Sequence, residues 1–157
     1  MMEAESTGNF DIGIGTASLS WFVPLLRAQL LTVEGRYEEA IALFSSNLES
    51  AESQGVARLL VAFLADYAWC RFQLGQSDAS LACANSCMAV ATEDCDPDDL
   101  AASFARVAAI MDANERREDA ANLRSQSRKY LDAHLALQTA LLDRLLLAFP
   151  DGKWSSA

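Results

Sequence analysis

The feature that most constrains this chain is a turn that recurs every forty residues. Gly35-Arg36-Tyr37-Glu38-Glu39-Ala40-Ile41-Ala42-Leu43-Phe44 places a glycine before the opening of an amphipathic helix. Degraded copies follow as Gly75-Gln76-Ser77-Asp78-Ala79-Ser80-Leu81 and Glu115-Arg116-Arg117-Glu118-Asp119-Ala120-Ala121, so the turns start at 35, 75 and 115. A fixed period in this range marks stacked structural units, each unable to bury its apolar face alone. Only 7 glycines and 3 prolines interrupt 157 residues, which favours helix between the turns because these two residues are the main helix breakers. The expectation is an all-α chain forming one domain.

The helices are read from apolar spacing and end signals. Residues 1–17 hold Gly8, Gly13 and Gly15 without a sustained apolar period and read as a flexible tail. The first helix is predicted from Ser20, a good N-cap with Pro24 in the first turn, to Glu34, and Gly35 closes it. The second carries Ile41, Phe44 and Leu48 on one face and runs to about Gly55, with Glu38 and Glu39 favoured by the dipole of its first turn. The third spans Val56 to Leu74, the fourth Asp78 to Thr92 with small apolar residues. The fifth begins at Pro97 behind the N-cap Asp96 and ends near Ala113. From Arg116 to Phe149 there is neither glycine nor proline, so a sixth helix either continues unbroken or bends near Asp132 to His134. Its stripe of Leu135, Leu142, Leu145, Leu146 and Phe149, widened by Leu137 and Leu141, has two readings: a capping helix folded back on the array, or a contact with the same helix of a second subunit. Residues 18–149 are thus the expected repeat domain and 150–157 a short C-terminal tail.

At these residues the chain resembles the tetratricopeptide repeat (TPR) family. Gly35-x-Tyr37-x-x-Ala40-Ile41 followed by Phe44 is similar to the turn and second helix of that repeat, including its Ala-x-x-x-Phe spacing. The resemblance covers residues 20 to about 131 and implies a right-handed α-solenoid of three TPR-like hairpins plus a C-terminal capping or extended helix. It places the small crossing residues at Ala28, Ala68 and Ala108 in the first helices and at Ala40, Ser80 and Ala120 in the second. The position usually held by tyrosine falls at Leu31, Arg71 and Met111. Departures are the 40-residue period instead of 34, the missing Trp-x-x-Leu-Gly start, Arg71 at a usually buried position, and Glu115 in place of the turn glycine. The longer period leaves a HEAT-like array as the alternative. In the family the first helices line the partner-binding groove, which here implies Phe22, Leu25, Gln29, Thr32, Val33, Ala62, Ala65, Trp69, Phe72, Gln73, Ala102, Ala109 and Asp112. Trp69 and Phe72 are the expected anchors, because aromatic side chains carry a disproportionate share of binding energy; burial of both in the core is the competing reading.

Other chemistry is poorly supported by the residues. The sole histidine, His134, has no partner motif, and no phosphate-binding loop or nucleophile elbow is present, so no enzyme is expected. Cys83 and Cys87 lie one helical turn apart and with Cys70 or Cys95 form the raw material of a metal site. They lack the tight knuckle of structural zinc sites and are read instead as small buried residues, with no cofactor expected. The acidic run 93–99 lacks the alternating ligands and glycine of a calcium loop and is explained by helix capping. A net charge of −10 argues against nucleic acid and anionic membrane, and the longest apolar run, Leu59 to Ala65, is too short for a span. Arg116, Arg117, Arg124, Arg128 and Lys129 gather on the last helix as a solvated face or an acidic-partner contact. The resulting expectation is a cytoplasmic, non-enzymatic scaffold or adaptor binding a peptide or helix of another protein, as a regulatory or sensor module of a bacterial signalling protein. A small acidic secretion-type chaperone, or a Cys/Asp metal-binding helical protein, is the alternative.

Overall fold

The computed structural model describes residues 8–54 and 57–150, and among them every regular element is an α-helix. In chain order these are α1 (Gly8–Val33), α2 (Tyr37–Ser53), α3 (Ala57–Gln73), α4 (Ser77–Val90), α5 (Pro97–Ala113) and α6 (Arg117–Ala148). None is long and apolar enough to cross a membrane.

The three recurrent turns share one geometry. Gly35 and Gly75 take φ of 75° and 71°, and Glu115 takes φ of 63° at the third copy. In each turn the residue after this one donates its amide five residues back: Arg36 to Leu31 O, Gln76 to Arg71 O and Arg116 to Met111 O, all at 2.9 Å. The left-handed residue itself bonds three back, to Thr32, Phe72 and Asp112. This pairing is the Schellman closure, which satisfies the last carbonyls of the outgoing helix. Nothing lies within 4 Å of where a Cβ would sit on Gly75, so the glycine answers to φ and not to space.

Just beyond each turn the two helices of a hairpin cross at small residues. Ala28, Ala68 and Ala108 in the outgoing helices and Ala40, Ser80 and Ala120 in the returning ones are all completely buried. Side chains this small let the backbones approach, and Ser80 uses the proximity by donating its hydroxyl to Ala68 O at 2.9 Å. The hairpins α1–α2, α3–α4 and α5–α6 are joined by contacts of α3 with α1 and α2, and of α5 with α3 and α4. The middle helix α3 is consequently covered on two sides. Leu60, Phe63 and Cys70 join the core shared with α1 and α2, whereas Val61, Ala65 and Ala68 join the core shared with α4, α5 and α6. That double coverage explains its nearly unbroken apolar run.

Several expectations are corrected. α1 starts at Gly8 and not near Ser20, so Pro24 lies inside the helix. A cap preference is worth only about 1 kcal/mol, and extending a helix from an existing nucleus is far easier than starting one. Of the expected tails at 1–17 and 150–157, residues 8–17 belong to α1, and residues 1–7 and 151–157, like the helix ends expected at Gly55 and Val56, lie outside the described residues. Asp96 holds the N-cap position of α5, but its carboxylate makes no capping bond and instead meets Arg58 at 2.9 Å. Arg71, at a position expected to be buried and apolar, lies half-buried with its guanidinium 4.5 Å above the Tyr67 ring and bonds the Tyr67 hydroxyl and Gln76. Its stem thus fills apolar space while the charge reaches polar partners.

α6 is continuous over 32 residues, which settles the question of a bend. Its first half packs antiparallel on α5 through Phe104 against Tyr130 (5.6 Å between rings), Ser127 to Ala101 O (2.7 Å) and Arg124 to Asp112 (2.7 Å). Past His134 it leaves α5 behind, and every residue from Leu135 to Pro150 is exposed. Among the described residues it packs on no helix but α5, so the leucine stripe does not fold back there as a cap. A straight helix continuing off the end of α5 has no route back to the array without a turn, and the sequence here supplies none.

The three turns generate a stability prediction. A side chain in the left-handed region costs about 1–2 kcal/mol, partly offset by the greater unfolded-state freedom of glycine. Glu115→Gly is therefore expected to raise unfolding free energy by about 0.5–1 kcal/mol in urea titration, whereas Gly75→Ala lowers it; a change of the same sign at both sites, or a reversal of both signs, contradicts the shared geometry.

Candidate partner-binding face

The helices that leave each hairpin, α1, α3 and α5, lie side by side with α3 in the middle. Three of the residues expected to line this face do not reach its surface. Leu25, Thr32 and Ala65 are buried, because they point toward the hairpin partners and neighbouring helices. Thr32 donates to Ala28 O at 2.8 Å and lies 3.1 Å from Cys70 Sγ, so its hydroxyl is spent inside the core. Phe22 is half-buried, edge-on to Trp21 and Phe63. Ala62 and Ala109 are half-buried and Ala102 and Gln73 exposed. Asp112 is exposed and paired with Arg124.

Val33 is exposed but belongs to a different surface. It continues Leu19, Val23, Leu26 and Leu30 along α1, a 4-3-4-3 spacing on the side opposite Leu25 and Ala28. One period on, the counterparts of Val23 and Leu30 are Phe63 and Cys70, and two periods on Ser103 and Ile110. All four counterparts are buried, whereas Val23 and Leu30 are more than half exposed. The first unit therefore exposes the face that the second and third bury against the unit before them.

The face is crossed by a polar ladder with one rung on each helix. Gln29 of α1 donates to Asp66 Oδ2 at 3.0 Å, and Arg106 of α5 pairs with Oδ1 of the same carboxylate. The Asp66 side chain is 7% exposed and that of Arg106 33%. A buried carboxylate is tolerated only when paired and hydrogen-bonded, so the ladder fixes α1, α3 and α5 relative to one another. Sequence reading named Gln29 but missed Asp66 and Arg106. The available signal was an acid and a base one period apart, at equivalent positions of consecutive units.

Beside the ladder lie Trp69 and Phe72, both half-buried, with ring centroids 5.4 Å apart and planes at 40°. Phe72 packs against the core shared by α3 through α6, while Trp69 joins neither core cluster. The pair thus joins an anchored ring to a less anchored one, with apolar surface left for a third group.

The remaining candidates resolve into structure. Burial pushes the Cys70 and Cys83 thiols up, and that of Cys87 up to about 12, so these are protonated at neutral pH. Cys87 Sγ donates to Val61 O at 3.3 Å, a carbonyl that also accepts from Ser103 at 3.4 Å. Among the described residues no three His, Cys, Asp or Glu side chains are grouped to hold a metal ion. In the acidic run, burial first and Asp98 and Asp96 next hold Asp99 above the usual carboxylate range. His134 Nδ1 sits 3.9 Å from Asp98 Oδ1 at the α5–α6 edge. Of the basic residues on the last helix, Arg116 and Arg124 are taken up by Asp119 and Asp112.

The ladder yields a measurable consequence. Arg106→Leu strands the Asp66 carboxylate and is expected to cost roughly 2–4 kcal/mol, somewhat less than loss of a fully buried pair because Arg106 keeps solvent contact. Asp66→Leu combined with Arg106→Leu should recover most of that loss in chemical denaturation, and strictly additive losses would refute the coupling. Comparison with family models, with curated proteins and with solved structures returned no match.

Proposed function

We propose that this chain is a non-enzymatic scaffold, a right-handed α-solenoid of three TPR-like hairpins that takes a peptide or helix of a partner protein along the α1–α3–α5 face. The observation that carries this reading is the coincidence of one period at three levels: left-handed turns at 35, 75 and 115, buried small residues at each crossing, and outgoing helices aligned on one face. Repeats of this kind present their outgoing helices as an extended binding surface. Trp69, with Phe72 behind it and the Gln29–Asp66–Arg106 ladder beside it, is the anchor. Its affinity would come from burying apolar area at about 25 cal/mol per Å2 less the ordering costs.

Of the two versions of this role, the α6 segment that leads away from the hairpins favours a regulatory or sensor module over a small secretion-type chaperone. Four unpaired thiols support a cytoplasmic setting, since an oxidising compartment selects for disulfides. Among the described residues no grouping of ligands favours the metal-binding alternative.

The test uses affinity capture from the native host with wild-type and Trp69→Ala baits. The variant is expected to melt within a few degrees of wild type and to bind the captured partner at least about tenfold more weakly, as for a hot-spot aromatic. Equal retention by both baits contradicts the groove, and loss of folding would make Trp69 a core residue.

A further inference from the structure

The segment of α6 beyond His134 is the least accounted-for part of the molecule. It continues for 14 residues, from Leu135 to Ala148, after its last contact with α5, a projection of about 21 Å at 1.5 Å per residue. Eight leucines between Leu131 and Leu147 are 37–84% exposed. Seven of them, all but Leu147, lie on one half of the helix and together present on the order of 700 Å2 of apolar surface, more than the 300–600 Å2 of the largest patch on a typical monomer. Leu131, Leu135, Leu142 and Leu145 follow a heptad seam in which Gln138 is the single polar member.

We propose that the occupant of this surface is the same segment of a second copy, so that the chain is a dimer about a two-fold axis running through the paired α6 projections. Three observations select a second copy. The chain carries a net charge of −10, yet between Leu135 and Phe149 the only charged residues are Asp143 and Arg144, which cancel. Two acidic bodies can therefore meet through their one long uncharged projection with the least repulsion. The area is also sufficient: covering three quarters of the patch in each of two copies buries roughly 1,050 Å2, just above the 1,000 Å2 or so that a biological interface clears. Lastly, a helix of about this length without neighbours is marginal in water, so the projection gains its own order from a partner helix. A heptad seam is self-complementary, which a two-fold contact requires.

The dimer stands independently of the groove. Taken with the groove reading, on which this clause alone rests, it presents two binding faces and gains avidity for a partner with two copies of the recognised segment.

Sedimentation equilibrium on the full chain tests the proposal from micromolar to about 200 µM. Wild type is expected at twice the 17.0 kDa chain mass, dissociating on dilution with a fall in helical circular dichroism. Leu142→Glu with Leu145→Glu is expected to be a folded monomer throughout, its melting transition retained because both residues are exposed, beyond the stretch of α6 that packs on α5. Leu30→Glu, on the exposed stripe of α1, is expected to dimerise as wild type does. A wild type that stays monomeric at 200 µM, a double variant that still dimerises, or loss of the dimer in Leu30→Glu each overturns the pairing through α6.

Discussion

The approach of two helix backbones at one small residue per helix is the constraint on which the other features depend. Ala28 and Ala40, Ala68 and Ser80, and Ala108 and Ala120 are all fully buried, and in the middle pair Ser80 bonds the Ala68 carbonyl directly across the two helices. The approach brings Phe44 of α2 to within 5.5 Å of Tyr67 of α3, ring centre to ring centre, and lets α3 touch four other helices at once. A larger side chain at a crossing would open the hairpin and misplace the next one. The turn beside each crossing has the same left-handed closure, so each outgoing helix ends in the same way.

The electrostatics follow from that arrangement. Asp66 falls in the seam between α1 and α5, nearly closed off from solvent, and Gln29 and Arg106 meet it from either side. The ladder adds directional specificity to contacts that small apolar residues leave undirected. Exposed pairs such as Arg36 with Glu39 and Arg116 with Asp119 close the first turns of α2 and α6 and contribute little to stability. The Cys70 and Cys87 thiols likewise belong to packing: protonated and enclosed, they fill narrow spaces between helices.

The helical hairpins and their crossings were legible in the chain, because a period of forty residues and small residues at fixed offsets are properties of sequence alone. Three things were not. The start of α1 was misplaced, since Ser20 and Pro24 signal a helix start only where nothing continues the helix upstream. Leu25, Thr32 and Ala65 were assigned to a surface, because neighbouring positions on one helix differ by only a fraction of a turn and the neighbouring helices decide which are covered. The leucines of α6 indicated an apolar face but not its direction, and the helix runs past α5 instead of folding back. Asp66 and Arg106 could have been paired from their one-period separation, though opposite charges at such a spacing do not by themselves specify burial.

The account is tested most directly by the energetic contrast between a crossing residue and its exposed neighbour. Ala40 is buried at the first crossing and Ala42, two residues on in the same helix, is exposed. In urea denaturation Ala40→Leu is predicted to lose roughly 1–3 kcal/mol or more through overpacking, while Ala42→Leu stays within about 0.5 kcal/mol of wild type. Equal stability of the two variants would contradict close helix crossing as the basis of this fold.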